Sequence, residues 1–255
     1  ARLLLPPDWQ YGTALPVASG SGSEVAFKPA PLDLLVDSPV IAGQYMKKID
    51  ITPPGEPIPH EWDIAADSPE ALAVPADLIQ GMKNLVAETG VAFGARHYRD
   101  YHFLLTLSDH VAHFSLEHHE SDDSRLPERI MLQPNGGNEV GFLLSHEFVH
   151  SWNGKFRRPA DLASPPDQAP MQTDLLWVYE GLPDYLGRSG LEVSGPDRPS
   201  RGYPREDDGV GNDPVLRLAG HPDQLDCPSR LVGVEDRRLD RAEDEIGHRD
   251  RMSDT

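Results

Sequence analysis

The sequence predicts an α+β protein in three parts: a partial β-rich N-terminal domain (residues 1–75), a domain with the longer helices (76–191) and a disordered tail (192–255). Three observations support this division. Short β-prone runs separated by Pro and Gly fill the first part, and apolar residues recur at helical spacing in the second. The third part has few apolar side chains with which to build a core.

The sequence of residues 1–75 predicts strands and turns and no helix. The run "DLLVDSPVIAGQYMKKIDI" (33–51) is β-prone, and "PPGEPIP" (53–59) interrupts it. The chain begins "ARLLLPPDWQYG", without Met and without a secretory signal pattern. We therefore expect this part to be a piece of a longer β-rich domain.

The second part opens with a predicted helix of about four turns, because Leu78, Met82, Leu85 and Val86 recur at helical spacing before Gly90. Two strands are predicted next, over 101–109 and 113–121. A helix follows over 138–154, with Asn138 as its N-cap and Gly154 as its stop.

A last helix is predicted over 171–191, in "MQTDLLWVYEGLPDYLGRSGL". Pro183 lies inside it and removes the amide that would bond the carbonyl of Tyr179, which predicts a kink there. The tail that follows has one aromatic residue, Tyr203, and its basic residues are all Arg. A shifted reading frame in a GC-rich gene would produce such a composition, and we state this as a hypothesis.

Composition excludes several classes of function. The chain has 255 residues and 38% hydrophobic content, which is enough to fill a core. Its net charge of −19 argues against binding nucleic acid, which requires clustered Lys and Arg. The single cysteine, Cys227, cannot form an internal disulfide, and no apolar run approaches the roughly 20 residues that span a bilayer.

The stretch "HEFVHSWNGKFRRP" (146–159) contains a candidate zinc site. Residues four apart share one face of a helix, so His146 and His150 can direct both imidazoles at one ion. Glu147 lies about 100° round from His146, where it can take a proton from water at the metal. The alternative interpretation is a surface helix that carries two histidines.

A catalytic zinc needs three protein ligands. Glu180 is a candidate for the third, because a glutamate in an apolar helix is costly unless it is paired or bound to a metal. Asp184 lies one turn later on the same face, where it could hydrogen-bond the free ring nitrogen of a zinc histidine. Together these residues favour a Zn²⁺ site over an ordinary surface helix.

The sequence resembles the glycyl aminopeptidase family of gluzincin zinc metallopeptidases. That family carries H-E-x-x-H-x-W-N-x-K-x-x-R-P and, about thirty residues later, L-W-V-x-E-G. Here "HEFVHSWNGKFRRP" and "LLWVYEGLPDY" fit these patterns. The resemblance implies a thermolysin-like catalytic domain, here incomplete, with His146, His150 and Glu180 as zinc ligands and Glu147 as general base.

The family also has a G-G-x-E-H-like strand whose glutamate holds the amino group of the substrate. Two segments compete for this role: "FSLEHHES" (114–121) with Glu117, and "NGGNEVG" (135–141), which has the glycines but no His. We favour Glu117, with a solvent-facing strand glutamate as the alternative. The nearby histidines are interpreted as polar strand and loop residues, and a second metal site is the other possibility.

The function predicted from these residues is zinc-dependent aminopeptidase activity on peptides with small N-terminal residues, Gly or Ala. The substrate preference is implied by the resemblance alone. The alternatives are an inactive remnant of such an enzyme and an endopeptidase of the thermolysin type. No residue is assigned as the donor to the oxyanion.

Overall fold

The computed structural model describes residues 1–159, 162 and 172–189. The predicted disordered tail lies outside the described residues, and the frameshift hypothesis concerns the same segment. Within the described part, the protein is a mixed α/β fold with a β-rich N-terminal region, as the sequence predicts.

The N-terminal region forms two small antiparallel sheets. The first has the strand order β1-β4-β3, and the second pairs β2 with β5. The bounds of its elements are β1 Arg2–Leu4, β2 Gln10–Gly12, β3 Val17–Ser21, β4 Glu24–Phe27, α1 Leu32–Val36 and β5 Ile41–Gly43. The expectation of no helix in this region was wrong. Helix α1 is a single five-residue turn that buries no residue, so apolar periodicity could not reveal it.

The larger sheet has five strands in the order β6-β7-β8-β10-β9. Strands β7, β8 and β10 run parallel to one another, whereas β6 and β9 are antiparallel at the two edges. The bounds are β6 Tyr45–Asp50, β7 His60–Ala66, β8 Tyr101–Leu107, β9 Phe114–Glu117 and β10 Ser121–Leu126. The prediction of one strand over 113–121 was therefore wrong, because the chain reverses after Glu117 and enters β10.

Three longer helices accompany this sheet: α2 Ala76–Phe93, α3 Gly136–His150 and α4 Leu176–Ser189. Short 3-10 helices, Glu70–Leu72 and Ile130–Leu132, precede α2 and α3. Helix α2 is longer than predicted, because it continues through Gly90 and ends at the left-handed Gly94. Asn138 lies inside α3 and not at its N-cap, which is Asn135, and Gly154 lies beyond the end of that helix.

The main core lies between this sheet and helices α2 and α3. It contains Leu85 of α2, Phe103 of β8 and Leu144 and Phe148 of α3, none of them exposed. Burying side chains of this size contributes about 1.5–3 kcal/mol each. The face of α3 that packs here fixes the direction of the opposite face, which carries the two histidines. None of the helices that the structure describes is both long and apolar enough to cross a membrane.

Candidate metal centre

Helices α3 and α4 bring three metal-ligating side chains together, a group we call the helix cluster: His146, His150 and Glu180. The Nε2 atoms of the two histidines are 3.0 Å apart, and Oε2 of Glu180 is 3.4 Å from each. Ligand atoms about 2.1 Å from a tetrahedral zinc are about 3.4 Å apart. The three atoms therefore have the spacing that one zinc ion requires.

The hydrogen bond of the His150 ring leaves its Nε2 atom free to bind a metal. Nδ1 of His150 donates to the carbonyl of Asn153 at 3.1 Å, and Nδ1 of His146 lies 3.3 Å from Oδ1 of Asp184. A neutral imidazole carries one N–H, so the Nε2 lone pair of His150 is directed toward Nε2 of His146 and the Glu180 carboxylate. Two imidazole nitrogens and a carboxylate oxygen are ligands that zinc binds in proteins, so the residues fit a metal.

Burial differs between the two helices that form the cluster. His150 is 1% exposed, and burial lowers its pKa, so the ring is held in the neutral form that binds metal. The Glu180 side chain is 51% exposed. The expectation that Glu180 lies in a buried apolar stretch was therefore wrong, and the nearby Trp177 is 72% exposed as well. The described face of α4 at the cluster is open to solvent.

Glu147 lies beside the cluster and is 5% exposed. Burial, together with the carboxylates of Glu117 and Glu180, raises its pKa to about 8 against the lowering effect of Ser115. A cation nearby favours the charged form of a carboxyl group. A metal in the helix cluster would therefore restore the ionised Glu147 that a base requires.

Glu117 ends strand β9 at the edge of the large sheet, on the side where α3 packs. Its Oε1 atom accepts a hydrogen bond from the hydroxyl of Tyr179, the residue before Glu180. Sequence reasoning missed Tyr179, although its position next to a candidate ligand is a usable signal. The competing Glu139 is exposed in the first turn of α3, two helical turns before Glu147.

The histidines near Glu117 are occupied by hydrogen bonds within the protein. Nδ1 of His118 lies 3.1 Å from Oδ1 of Asp37, and Nε2 of His119 lies 3.0 Å from the carbonyl of His97. Nε2 of His113 donates to the carbonyl of Ser108 at 2.8 Å. These contacts favour the interpretation of these histidines as polar strand and loop residues.

The residues that follow His150 hold α4 against α3. The side-chain amide of Asn153 donates to the carbonyls of Val178 and Tyr179, at 2.9 and 3.0 Å. Pro183 removes the helical donor for the Tyr179 carbonyl, and Asn153 replaces it. A Cβ at Gly154, whose φ is +149°, would lie 2.9 Å from the Tyr179 ring. This turn therefore places Glu180 opposite the histidines.

Trp152 and Lys155 tie the same turn to other parts of the molecule. The Trp152 indole N–H donates to the carbonyl of Ala95 at 2.9 Å, and its ring stacks on Phe93. Nζ of Lys155 lies 2.6 Å from Oδ1 of Asp37. Lys155, the first basic residue after α3, is thus paired within the protein.

A second group of metal-ligating residues lies in the large sheet, and we call it the sheet cluster: Glu61, Asp63 and His102. Oδ2 of Asp63 is 2.8 Å from Nδ1 of His102. Nζ of Lys48 is 3.0 Å from Oε1 of Glu61 and 3.1 Å from Oδ1 of Asp63. The sheet cluster therefore contains a cation of its own.

Comparison with known proteins agrees with the motif. The family model of the M61 glycyl aminopeptidase domain matches residues 140–200, and the model of the M61 N-terminal domain matches residues 1–44. A comparison with curated protein sequences found no match.

Solved structures with a related fold include an aminopeptidase N family protein from Idiomarina loihiensis. Its TM-score is 0.55 at 23% identity, over 71% of this chain and 31% of that one. A two-domain M1 zinc metallopeptidase bound to L-arginine has a TM-score of 0.45 at 16% identity, over 73% and 38% of the two chains. An M1 zinc metallopeptidase from Deinococcus radiodurans has a TM-score of 0.35 at 15% identity, over 57% and 32%. The chain thus spans about a third of the length of these proteins.

The chain thus resembles the M61 glycyl aminopeptidases in two stretches, residues 1–44 and 140–200, and its fold is similar to that of an aminopeptidase N family protein. The resemblance predicted from "HEFVHSWNGKFRRP" and "LLWVYEG" is confirmed.

Proposed function

We propose that the chain is the catalytic part of a zinc-dependent aminopeptidase that removes small N-terminal residues, Gly or Ala, from peptides. The observation that carries the proposal is the convergence of two histidine Nε2 atoms and one carboxylate oxygen within 3.4 Å. His146, His150 and Glu180 are the proposed ligands. The preference for Gly or Ala rests on the family resemblance.

Zinc, when bound, supplies a Lewis acid that polarises the scissile carbonyl and lowers the pKa of water. Glu147 takes the proton of the attacking water and later delivers it to the leaving amine. Its position beside His146 on α3 supports this role, since a residue one step round the helix points near the ligands without joining them. Asp184 and the carbonyl of Asn153 hold the two histidine rings in orientation.

Glu117 is the proposed partner of the substrate's free amino group. A carboxylate at the rim of the site can pair with an ammonium group and so fix the first peptide bond next to the metal. The hydroxyl of Tyr179 bonds Glu117 in the structure, and an ammonium group can replace that donor. This pairing would restrict cleavage to the N-terminal bond.

A pair of variants on helix α3 tests the assignment of the base. We expect Glu147→Gln to keep its zinc and to lose hydrolysis of glycyl p-nitroanilide by about 10²–10⁴-fold, because an amide cannot accept the proton. Glu139→Gln, an exposed glutamate on the same helix, is the matched control and should keep its activity. Loss of zinc in Glu147→Gln would show that Glu147 is a ligand or a structural residue.

Peptides with free and acetylated N-termini separate the alternatives. The proposed aminopeptidase cleaves only the free form, and Glu117→Gln should raise KM for that form. An endopeptidase of the thermolysin type would cleave both forms, and an inactive remnant would cleave neither. Either of the last two results would overturn the proposal.

A further inference from the structure

An aspartate of the N-terminal region joins two segments that border the helix cluster. Asp37 is the C-cap residue of α1, within the stretch that matches the M61 N-terminal domain. Its Oδ2 atom accepts a hydrogen bond from the backbone N–H of His119 at 2.8 Å, and its Oδ1 atom lies 3.1 Å from Nδ1 of His118. Oδ1 also lies 2.6 Å from Nζ of Lys155. The carboxylate therefore bonds both the turn between β9 and β10 and the turn after α3.

The same two turns also bond each other directly. The Ser151 hydroxyl donates to the carbonyl of His119 at 2.7 Å, and Ser151 is not exposed at all. The backbone N–H of Lys155 donates to the carbonyl of His150 at 3.0 Å. Together these bonds form a closed ring. We call its members the Asp37 junction: Asp37, His118, His119, Ser151 and Lys155.

The Asp37 junction lies next to the two groups proposed to hold the substrate. Glu117 immediately precedes His118, and the candidate ligand His150 immediately precedes Ser151. An ammonium group on Glu117 and a scissile carbonyl at the metal belong to one amino-acid residue, with only its Cα atom between them. The separation of Glu117 from the helix cluster therefore has to match one residue. The junction fixes that separation, because it bonds the backbone beside each of the two groups.

The ion pair at the centre of the junction is largely shielded from solvent. The side chains of Asp37 and Lys155 are 23% and 19% exposed. Partly buried charges are screened less than exposed ones, and hydrogen bonds between charged partners are short and strong. A carboxylate that accepts three such donors from two turns restricts the positions that each turn can take.

We propose that Asp37 is a positioning residue for substrate binding: through His119 and Lys155 it sets the distance between Glu117 and the helix cluster. The N-terminal region thereby takes part in selecting the bond that is cleaved. The consequence for substrate binding rests on the proposed function, whereas the mechanical link between the two turns does not.

Hydrogen exchange tests the link without turnover. In the full chain, Lys155→Met keeps the apolar stem but removes the ammonium group from Asp37, so the amides of residues 117–121 should exchange several-fold faster. Lys48→Met is the matched control, because it removes an ammonium group from the carboxylates of the sheet cluster. It should leave the exchange of residues 117–121 unchanged. Equal exchange of this segment in Lys155→Met and wild type overturns the proposal, whether or not the protein has peptidase activity.

Inhibitor binding tests the role in holding the substrate. Glycine hydroxamate and acetohydroxamate carry the same zinc-binding group, but only the first has an amino group. We expect the zinc-loaded wild type to prefer glycine hydroxamate by about 10-fold, because a hydrogen bond to a charged group contributes at least that factor. Lys155→Met and Asp37→Asn should lose most of this preference and bind acetohydroxamate as before, whereas Lys48→Met should keep it.

The outcomes of this measurement separate the two proposals. A wild type without the preference would overturn the amino-group role of Glu117, and with it the part of the proposed function on which this inference rests. A preference in the wild type that persists in both junction variants would overturn the positioning role of Asp37 alone.

Kinetics distinguishes positioning from a general loss of structure. For glycyl p-nitroanilide, Lys155→Met should raise KM by about 10-fold while kcat and bound zinc stay close to wild type. The double variant with Asp37→Asn should show little further change, because both substitutions act through one ion pair. A fall of kcat and bound zinc at constant KM would show that the junction only supports the end of α3, which would overturn the proposal.

Discussion

The helix cluster and the sheet cluster use the same kinds of side chain but differ in how their charge is balanced. In the sheet cluster, Lys48 lies within 3.1 Å of both carboxylates, and His102 bonds Asp63. In the helix cluster, the only salt-bridge partners of Glu180 among the described side chains are the two histidines. Among the described side chains no lysine or arginine pairs with Glu180, so a bound cation would balance its charge.

The comparison shows that ligand identity alone does not define a metal site. A carboxylate pair next to a lysine is already partly neutralised, and a metal would have to displace the ammonium group. Glu180 has no such ammonium partner among the described side chains. The difference therefore predicts opposite responses of the two clusters to the same experiments.

The largest expected effect is on zinc affinity in the helix cluster. His150→Ala should lower it by more than about 100-fold, since even the loss of a residue that only supports a ligand costs roughly 10–100-fold. His102→Ala in the sheet cluster should leave the affinity and the stoichiometry of about one zinc unchanged. Competition with a chromophoric chelator measures both variants. A loss of zinc in His102→Ala would mean that the sheet cluster is the metal site.

A smaller effect is expected from Asp184, which contacts the ring of His146 and not the metal. Asp184→Ala should weaken zinc binding by about 10–100-fold, because the histidine ring loses its orienting partner. Asp174→Ala, an exposed aspartate just before α4, is the control and should bind zinc normally. Equal affinities in the two variants would remove Asp184 from the site.

A change of Lys48 tests the charge balance of the sheet cluster. Lys48→Met leaves the unexposed Asp63 and the half-buried Glu61 without their cation, so the free energy of unfolding should fall by about 2 kcal/mol, a value reduced for the partial exposure of Lys48. The exposed Lys28→Met is the control, and urea denaturation measures the difference. If Lys48→Met unfolded at the same urea concentration as wild type, the sheet cluster would not depend on its lysine.

The smallest effect concerns Asp37, another carboxylate that the protein neutralises itself. Burial alone would raise its pKa, but hydrogen bonds from His118, Lys155 and the backbone of His119 lower it to about 2, below its ordinary value of 3.8. A lowered folded pKa stabilises the protein above pH 3.8, and this contribution is lost as the pH falls through 2.

Asp37→Asn should therefore cost about 1–2 kcal/mol of unfolding free energy near neutral pH and progressively less between about pH 4 and pH 2. Asp33→Asn, an exposed aspartate of the short helix α1, is the matched control. Thermal denaturation at several pH values follows both variants. A difference that stayed constant down to about pH 2 would contradict the lowered pKa.

The site could be predicted further than the fold around it. The four-residue spacing of His146 and His150 and the one-turn spacing of Glu180 and Asp184 are local, because helix geometry alone puts each pair on one face. Glu117, which the sequence favours over Glu139, lies at the end of the edge strand β9 near Glu147. Its role in binding the substrate stays a prediction. The missed elements were short ones, α1 and β10, whose few residues give too little periodicity to recognise.

The sequence by itself identified the candidate metal ligands, the candidate base beside them and the helices that carry them, because these follow from residue chemistry and local periodicity. The tertiary structure decided the rest. Only the packing of α4 against α3 brings Glu180 within 3.4 Å of both histidines, and only the Asn153 turn holds it there. Only the register of β9 and β10 brings Ser115 next to Ser124, which bonds Asp122. These contacts link residues far apart in the chain, and their free energy depends on burial and direction, which no local pattern encodes.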